Sequence, residues 1–388
     1  MPGRDFLDEA TRQLGICNAC RYCEGYCAVF PALELRTELT EGDVTYLAHL
    51  CHDCRNCYDA CMFAPPHEFA VNIPALLAEA RVRTYARYSW PRLLSSWVRH
   101  SGWATGVVTG GGLLAVGALV LGLVGWARVT SPHAGPGAFY AVVPYLAMVI
   151  PALILSFYGA GVVTGGALAY WTEIHGSLRD LLDLRALGRA AGEALGQRWF
   201  KGGGAGCYYP RRRGSRARGR LHALVVGGFL LAFLSTTLAA VYQDVLGLLP
   251  PYPVASLPVL SGLAGGVLLT VGTTGLLWLK LASPRDLTTG AMAALDYSFL
   301  VLLDLVALTG LLLLALRGTR LMGPLLTVHL GVLVGFFATA PYGKFVHFAY
   351  RYLALVRRSL EEGGTPRAPR AGVRLNEVTV QSGPDAAR

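Results

Sequence analysis

Hydrophobic and polar positions divide this chain of 388 residues into two unequal parts. Residues 1–100 mix apolar and polar positions as a water-exposed domain does. From Trp103 onward the chain falls into long apolar runs at 103–127, 139–170, 221–243, 258–281, 293–316 and 324–348. Each run reaches the ~20 residues that cross a bilayer as a helix. The second is long enough to tilt, or to continue past the membrane face. Ahead of the runs, Thr40–Leu50 predicts a short helix. Asn72–Tyr88 predicts an amphipathic one, with Asn72 as its cap and Pro74 in its first turn. Trp90, Pro91 and Trp97 mark an approach to the interface, where tryptophan is favoured.

Composition sharpens this picture. The chain is 53% hydrophobic and 15% charged, against about a quarter charged in soluble domains. The net charge of +10 suits either nucleic acid or the basic loops of a membrane protein, and its placement decides between them. Residues 176–220 hold eleven Arg and Lys, including the run Arg211–Arg220, whereas the loop from Asp244 to Ser256 holds none. The first outer loop has only Arg128, and the turn between the fifth and sixth runs has Arg317 and Arg320. By the positive-inside rule the 176–220 loop is cytoplasmic. Six spans then place both termini on that side of the inner membrane. The arginine run therefore reads as a topology signal against lipid, and no nucleic-acid partner is expected. The N-terminus shows no apolar signal-peptide core. Residues 359–388 are expected to form a disordered tail, rich in Gly, Pro, Ala and Arg.

Eight of the nine cysteines fall in two copies of one pattern, C-x2-C-x2-C-x3-C. The first is Cys17, Cys20, Cys23 and Cys27; the second is Cys51, Cys54, Cys57 and Cys61. In a reducing compartment such clusters read as metal ligands. This is the spacing that binds four-iron clusters in bacterial ferredoxins, where the fourth cysteine ligates the other cluster. The expected sets are Cys17, Cys20, Cys23 and Cys61 for one 4Fe-4S cluster, and Cys51, Cys54, Cys57 and Cys27 for the second. Zinc sites use two pairs parted by a longer loop, which four cysteines within eleven residues fit poorly. Ferredoxins usually place proline directly after the fourth cysteine; here Pro31 and Pro65 come four residues later. Cys207 reads as an ordinary thiol. The expected fold class is mostly α: a two-cluster ferredoxin-like head over 1–100, then a six-helix transmembrane bundle over 101–358.

Clusters need an electron acceptor, and intramembrane histidines are functional by default. His222, His329 and His347 lie on the runs. His329 and His347 are 18 positions apart on the sixth, five turns and about 27 Å along one continuous helix, facing one way. His347 is then near the inner face and His329 near the outer. His222 opens the third run at cytoplasmic depth, so a haem b between His222 and His347 is expected, with a second haem on His329 as a weaker expectation. His133 is the other outer-side histidine; His100 and His175 read as interfacial. Lys344 is expected to snorkel to the headgroups, with pairing to a haem propionate or a quinone as the alternative. Asp296 and Asp304, on the fifth run, suit either a proton path or local pairing.

No dinucleotide fingerprint and no nucleophile–base set is present. The chain carries electrons but lacks the means to oxidise an organic substrate, so a separate flavoprotein dehydrogenase is implied. A transporter is disfavoured, because the spans show no clear inverted repeat.

The segments CNACRYCEGYCAVFPALELR, LCHDCRNCYDAC, APPHEFAVNIP and PYGKFVH closely resemble the tricarballylate/citrate-utilisation B protein family, over roughly residues 10–355. The six-span half is more broadly similar to the haem-bearing gamma subunit of respiratory nitrate reductases. The first resemblance implies two 4Fe-4S clusters on the eight motif cysteines and haem b on His222, His329 and His347. It also implies an FAD-dependent partner that dehydrogenates tricarballylate to cis-aconitate, with electrons passed on to quinone. Alternatives are the same relay serving another flavoprotein, such as one in cobalamin synthesis or another organic-acid dehydrogenase, or a membrane redox sensor.

Overall fold

The computed structural model describes residues 3–94, 96–97 and 100–363. Most of the tail expected at 359–388 lies outside the described residues; its first positions do not, because the last helix runs on to Glu362.

The head is built of helices α1 (Gly3–Cys20), α2 (Val29–Glu34), α3 (Glu41–Leu50), α4 (Asn56–Asp59) and α5 (Ile73–Tyr88). Local chemistry sets their starts. The Thr40 side chain accepts from the Asp43 amide while Asp43 bonds back to the Thr40 amide, a reciprocal capping box. The Asn72 side chain accepts from Ala75 N at 3.2 Å, and Pro74 sits in the first turn of α5. Leu14, Leu33, Leu47, Leu50, Leu77 and Tyr85 form the head's core.

Among the described residues, six helices are long and apolar enough to cross a membrane. They are α6 (Ser101–Val124), α7 (Tyr145–Glu173), then α9 (Ala217–Ala240), α10 (Leu257–Leu281), α11 (Gly290–Leu316) and α12 (Met322–Thr339), with α8 (Leu184–Leu195) lying between the second and third. Large apolar side chains such as Leu114, Phe157 and Phe233 stay exposed on them, as lipid-facing surfaces require. The α9–α10 contact is made close by glycine: a Cβ on Gly265 would meet Gly228 O at 2.9 Å.

Two features depart from the sequence expectation. The sixth run is not one helix. It ends at Thr339, passes through tight turns at Ala340–Tyr342 and Lys344–Val346, and restarts as α13 (His347–Glu362). Pro341 and Gly343 supply the cause, since proline disfavours helix before it and glycine favours the break. Second, the 176–220 segment is more than a basic linker. It forms α8, a short hairpin of β1 (Cys207–Tyr208) and β2 (Gly214–Ser215), and contacts with the head.

Those contacts place the head at one end of the bundle. At 29 residues, α7 is about 43 Å long, beyond a ~30 Å hydrocarbon layer. Its last turns carry Tyr170 and Trp171, both fully buried in the head's core. Helix α13 adds Tyr350, Ala354 and Leu355 to the same core.

Candidate functional site

The two cysteine motifs fold against each other and sort into two groups. Cys17, Cys20, Cys23 and Cys61 line one cavity, with Ile16, Phe30 and Phe63 as apolar wall. Cys27, Cys51 and Cys54 line a second, and Cys57 lines both. The end of α1 delivers Cys17 and Cys20. The second motif turns sharply before α4, with Asp53 at φ 57 and Arg55 at φ 70. The Asp53 amide donates to Cys51 Sγ at 3.4 Å.

The electrostatics follow the same grouping. Burial, then the neighbouring Cys61, Cys23 and Cys20, push the Cys17 thiol up to about 12. Cys23 is raised to about 12 by burial, Cys61 and Cys20. Cys27 is raised to about 12 by burial and by Cys51. Such thiols ionise only against a strong local cation, which is what cluster iron provides. Among the described residues no three His, Cys, Asp or Glu side chains converge as they would on a single ion. A cluster asks for a different arrangement, because each thiolate binds its own iron. The donor sets therefore fit iron–sulfur clusters.

The groups differ in surroundings. Cys20 is exposed, and Tyr22 and Met62 beside the first cavity are 61% and 64% exposed. The second group is enclosed, with Cys27 and Cys54 buried. Guanidinium groups ring it. Arg81 donates to Ala48 O at 3.0 Å, Arg351 to Leu50 O at 3.1 Å, and Arg218 to His52 O and Asp53 O at 2.6 and 2.8 Å. Burial alone would push the Asp53 carboxyl up. The charges of Arg55, Arg218, Lys280 and Arg81 outweigh it and hold the group below the usual carboxylate range. Positive charge close to a cluster raises its potential.

The 176–220 segment closes this second site. Tyr208 N donates to Cys54 O at 2.9 Å, Asn56 Nδ2 to Gly202 O at 2.8 Å, and Tyr209 OH to Asp53 Oδ2 at 2.5 Å. Arg212 lies 3.6 Å from Asp59. Part of the arginine run thus has specific partners in the head. Cys207 is fully buried beside Cys54, with Arg218 at 3.8 Å.

The histidines are placed as follows. His222 packs on Phe200, ring centroids 4.9 Å apart, and lies within electrostatic reach of His347. His347 Nδ1 is held by Lys344 O at 2.6 Å. Both stand at the head-side end of the bundle. His329 does not share a helix with His347, so the expected five-turn alignment fails with the break at Thr339. Its Nδ1 instead meets Thr309 Oγ1 at 2.9 Å, and a Cβ on Gly310 would approach its ring to 3.1 Å. Anchoring one ring nitrogen, as in His329 and His347, is how proteins orient histidine ligands. His133 bonds Arg128 O and His100 bonds Ser96 O.

The acids of the fifth span are locally paired. Asp296 takes Lys280 at 2.6 Å and Lys344 at 2.9 Å, so Lys344 does not snorkel. Asp304 accepts from Thr273 at 2.6 Å.

Two buried histidines went unread in the sequence. His49 sits among Tyr85, Tyr170 and Tyr350, at centroid distances of 5.6, 5.0 and 5.2 Å, with Nε2 unpartnered. His52 lines the second cavity with neither ring nitrogen partnered. Their positions two residues before and one after Cys51, in LAHLCHDC, were the available signal.

Comparison with known proteins assigns this arrangement. A model described as the citrate utilization protein B Fer4-like domain matches residues 10–87, and one for citrate utilization protein B matches residues 99–371. A relative named citrate utilization protein B, from Escherichia coli, is 38% identical over 368 residues, covering 94% of each chain. The chain belongs to the citrate utilization protein B family. No solved structure matches it. In this member of the citrate utilization B family the seam between the two matched regions begins at Tyr88, where α5 ends, and closes before α6 begins at Ser101. The Fer4-like match contains all eight motif cysteines and implies iron–sulfur electron transfer.

Proposed function

We propose that this chain is the membrane subunit that reoxidises a flavoprotein dehydrogenase, with tricarballylate or a related organic acid as the dehydrogenase's substrate, and delivers the electrons to quinone. The observation that carries the reading is the pairing of an exposed thiol group with an enclosed one that abuts the membrane bundle.

Cys17, Cys20, Cys23 and Cys61 would hold one 4Fe-4S cluster and Cys51, Cys54, Cys57 and Cys27 the other. Bound clusters supply one-electron carriers, bridging a two-electron flavin and the membrane. The chain's own residues set the direction. Tyr22 and Met62 offer an apolar docking rim at the first group. Arg81, Arg218 and Arg351 favour added negative charge at the second. His222 and His347 are the residues we assign to haem b, and His329 is the candidate for a second. The basic 176–220 segment packs on the head, so the positive-inside rule puts both in the cytoplasm, with the bundle in the inner membrane.

The test is iron, sulfide and haem analysis of anaerobically purified protein, with a reduced-minus-oxidised spectrum. About eight non-haem irons are expected, with a b-type band that is lost in His222→Ala and His347→Ala. A colourless preparation defeats the relay; clusters without the band defeat the haem assignment alone.

A further inference from the structure

We propose that a lipid-soluble quinone binds a cavity between the first turns of α6, the middle of α7 and the last turn of α12. The proposal rests on the reading above and gives its electron acceptor a site. The cavity is about 220 Å³ and is lined by Trp97, Ser101, Thr105, Tyr158, Thr339 and Tyr342, among others. It lies at the head-side end of the bundle, since α6 begins at Ser101 and α12 ends at Thr339.

Its polar groups suit a ligand that only accepts hydrogen bonds. Ser101 is 4% exposed, and its hydroxyl has no partner. An unmade bond at a buried donor is costly, and a quinone carbonyl would supply the missing acceptor. Tyr342 OH donates to Trp90 O at 2.8 Å. Its single proton is therefore committed, and in the 2.5 Å contact between Tyr158 and Tyr342 hydroxyls Tyr158 is the donor. Thr339 is spent on its own helix, donating to Gly335 O at 2.7 Å. Ser101 is thus a buried donor without a partner on this wall, and Tyr158 is able to swing its proton from Tyr342 to a ligand.

The remaining wall is apolar, as an aromatic headgroup requires. On α7, Ile154 and Phe157, each one position before a lining residue, are 63% and 75% exposed, an apolar helix surface along which an isoprenoid tail can lie. Packed rings lead here from the second thiol group. His49, two residues before Cys51, lies 5.2 Å from Tyr350, which lies 6.0 Å from Tyr88. Tyr88 is two residues from Trp90, whose carbonyl holds Tyr342. In the overall step one quinone takes two electrons, originating on the partner's reduced flavin, and two protons, giving quinol.

The experiment uses full-length protein with assembled clusters in lipid nanodiscs. An azido-quinone is photolysed on it, and reoxidation of the dithionite-reduced protein by decylubiquinone is followed separately. We expect label at Trp97, in the 101–108 segment or at Tyr158. The quinone KM should rise roughly tenfold in Ser101→Ala and Tyr158→Phe, and reoxidation should be blocked in Thr105→Phe, with iron content unchanged in all three. Label confined to other helices, or a lipid acyl chain that quinone does not displace, overturns the site. Wild-type kinetics in all three variants, with reoxidation intact, also overturn the site while the relay stands. A wild-type protein that no quinone reoxidises defeats the relay reading; the photolabel still reports on the cavity.

Discussion

Arg218, in the first turn of the third span, donates to the backbone carbonyl of Asp53 at 2.8 Å. One membrane helix thereby grips the turn between Cys51 and Cys54. The same nitrogen reaches His52 O, and Asp53's carboxylate depends on the surrounding cations. Replacing Arg218 with Met leaves two backbone carbonyls of the turn without their charged donor, at about 1.5–3 kcal/mol for a hydrogen bond to a charged group. Purified Arg218→Met should hold about four irons rather than about eight, and Arg218→Lys should keep more of them. Full iron content in the Met variant would show that the grip is dispensable.

Crossed grouping makes a prediction that sequence order alone does not. Cys61 belongs to the second motif by sequence, yet it lines the first cavity. Cys61→Ser should therefore perturb the same electron paramagnetic resonance signal as Cys17→Ser. Cys27→Ser should perturb the signal shared with Cys51→Ser. Signals that sort by motif instead would require each run to wrap its own cluster.

The parts legible in the sequence were those whose physics is local. Four thiols within eleven residues announce a cluster wherever the chain goes, and a 25-residue apolar run has few fates besides a bilayer. The Thr40 and Asn72 caps were legible for the same reason. What escaped depended on tertiary context. The break at Thr339–Val346 was signalled by Pro341 and Gly343, but the apolar run around them outweighed two residues. The arginines of 211–220 read as a topology signal, because nothing in the sequence shows that Arg218 and Arg212 face Asp53 and Asp59 in the head. His49 and His52 were hidden by the cysteines beside them.

Asp296 lies between two lysines within the bundle, its side chain 7% exposed. Removing its charge alone strands Lys280 and Lys344. Asp296→Asn should lower stability by about 3–5 kcal/mol, read as a fall in the melting temperature of detergent-solubilised protein. Replacing all three residues by Leu or Met should be far milder than the single change, since a buried ionic triad seldom outperforms good apolar packing. A triple variant less stable than Asp296→Asn would mean that the triad supports something beyond itself.

Gly42, in the first turn of α3, sets how closely the head sits on the second span. A Cβ there would fall 2.5 Å from the carbonyl oxygen of Glu173, the last residue of α7. Backbone cannot rotate aside as a side chain can, so Gly42→Ala must open the contact, at about 1–3 kcal/mol by analogy with overpacked cores. Gly166 is a second such point, where a Cβ would meet Tyr350 OH at 2.6 Å and Tyr88 O at 3.1 Å. Neither glycine lines a thiol cavity, so iron content should survive both substitutions. What should fall is the rate at which the second site delivers electrons to the membrane, because the ring contacts of Tyr88, Tyr170 and Tyr350 are made across this seam. The check is stopped-flow reoxidation of dithionite-reduced protein by a short-chain quinone: slower in Gly42→Ala and slower still in Gly166→Leu, at equal iron loading. Unchanged rates in both would show that electrons leave the head by a route that does not cross this contact.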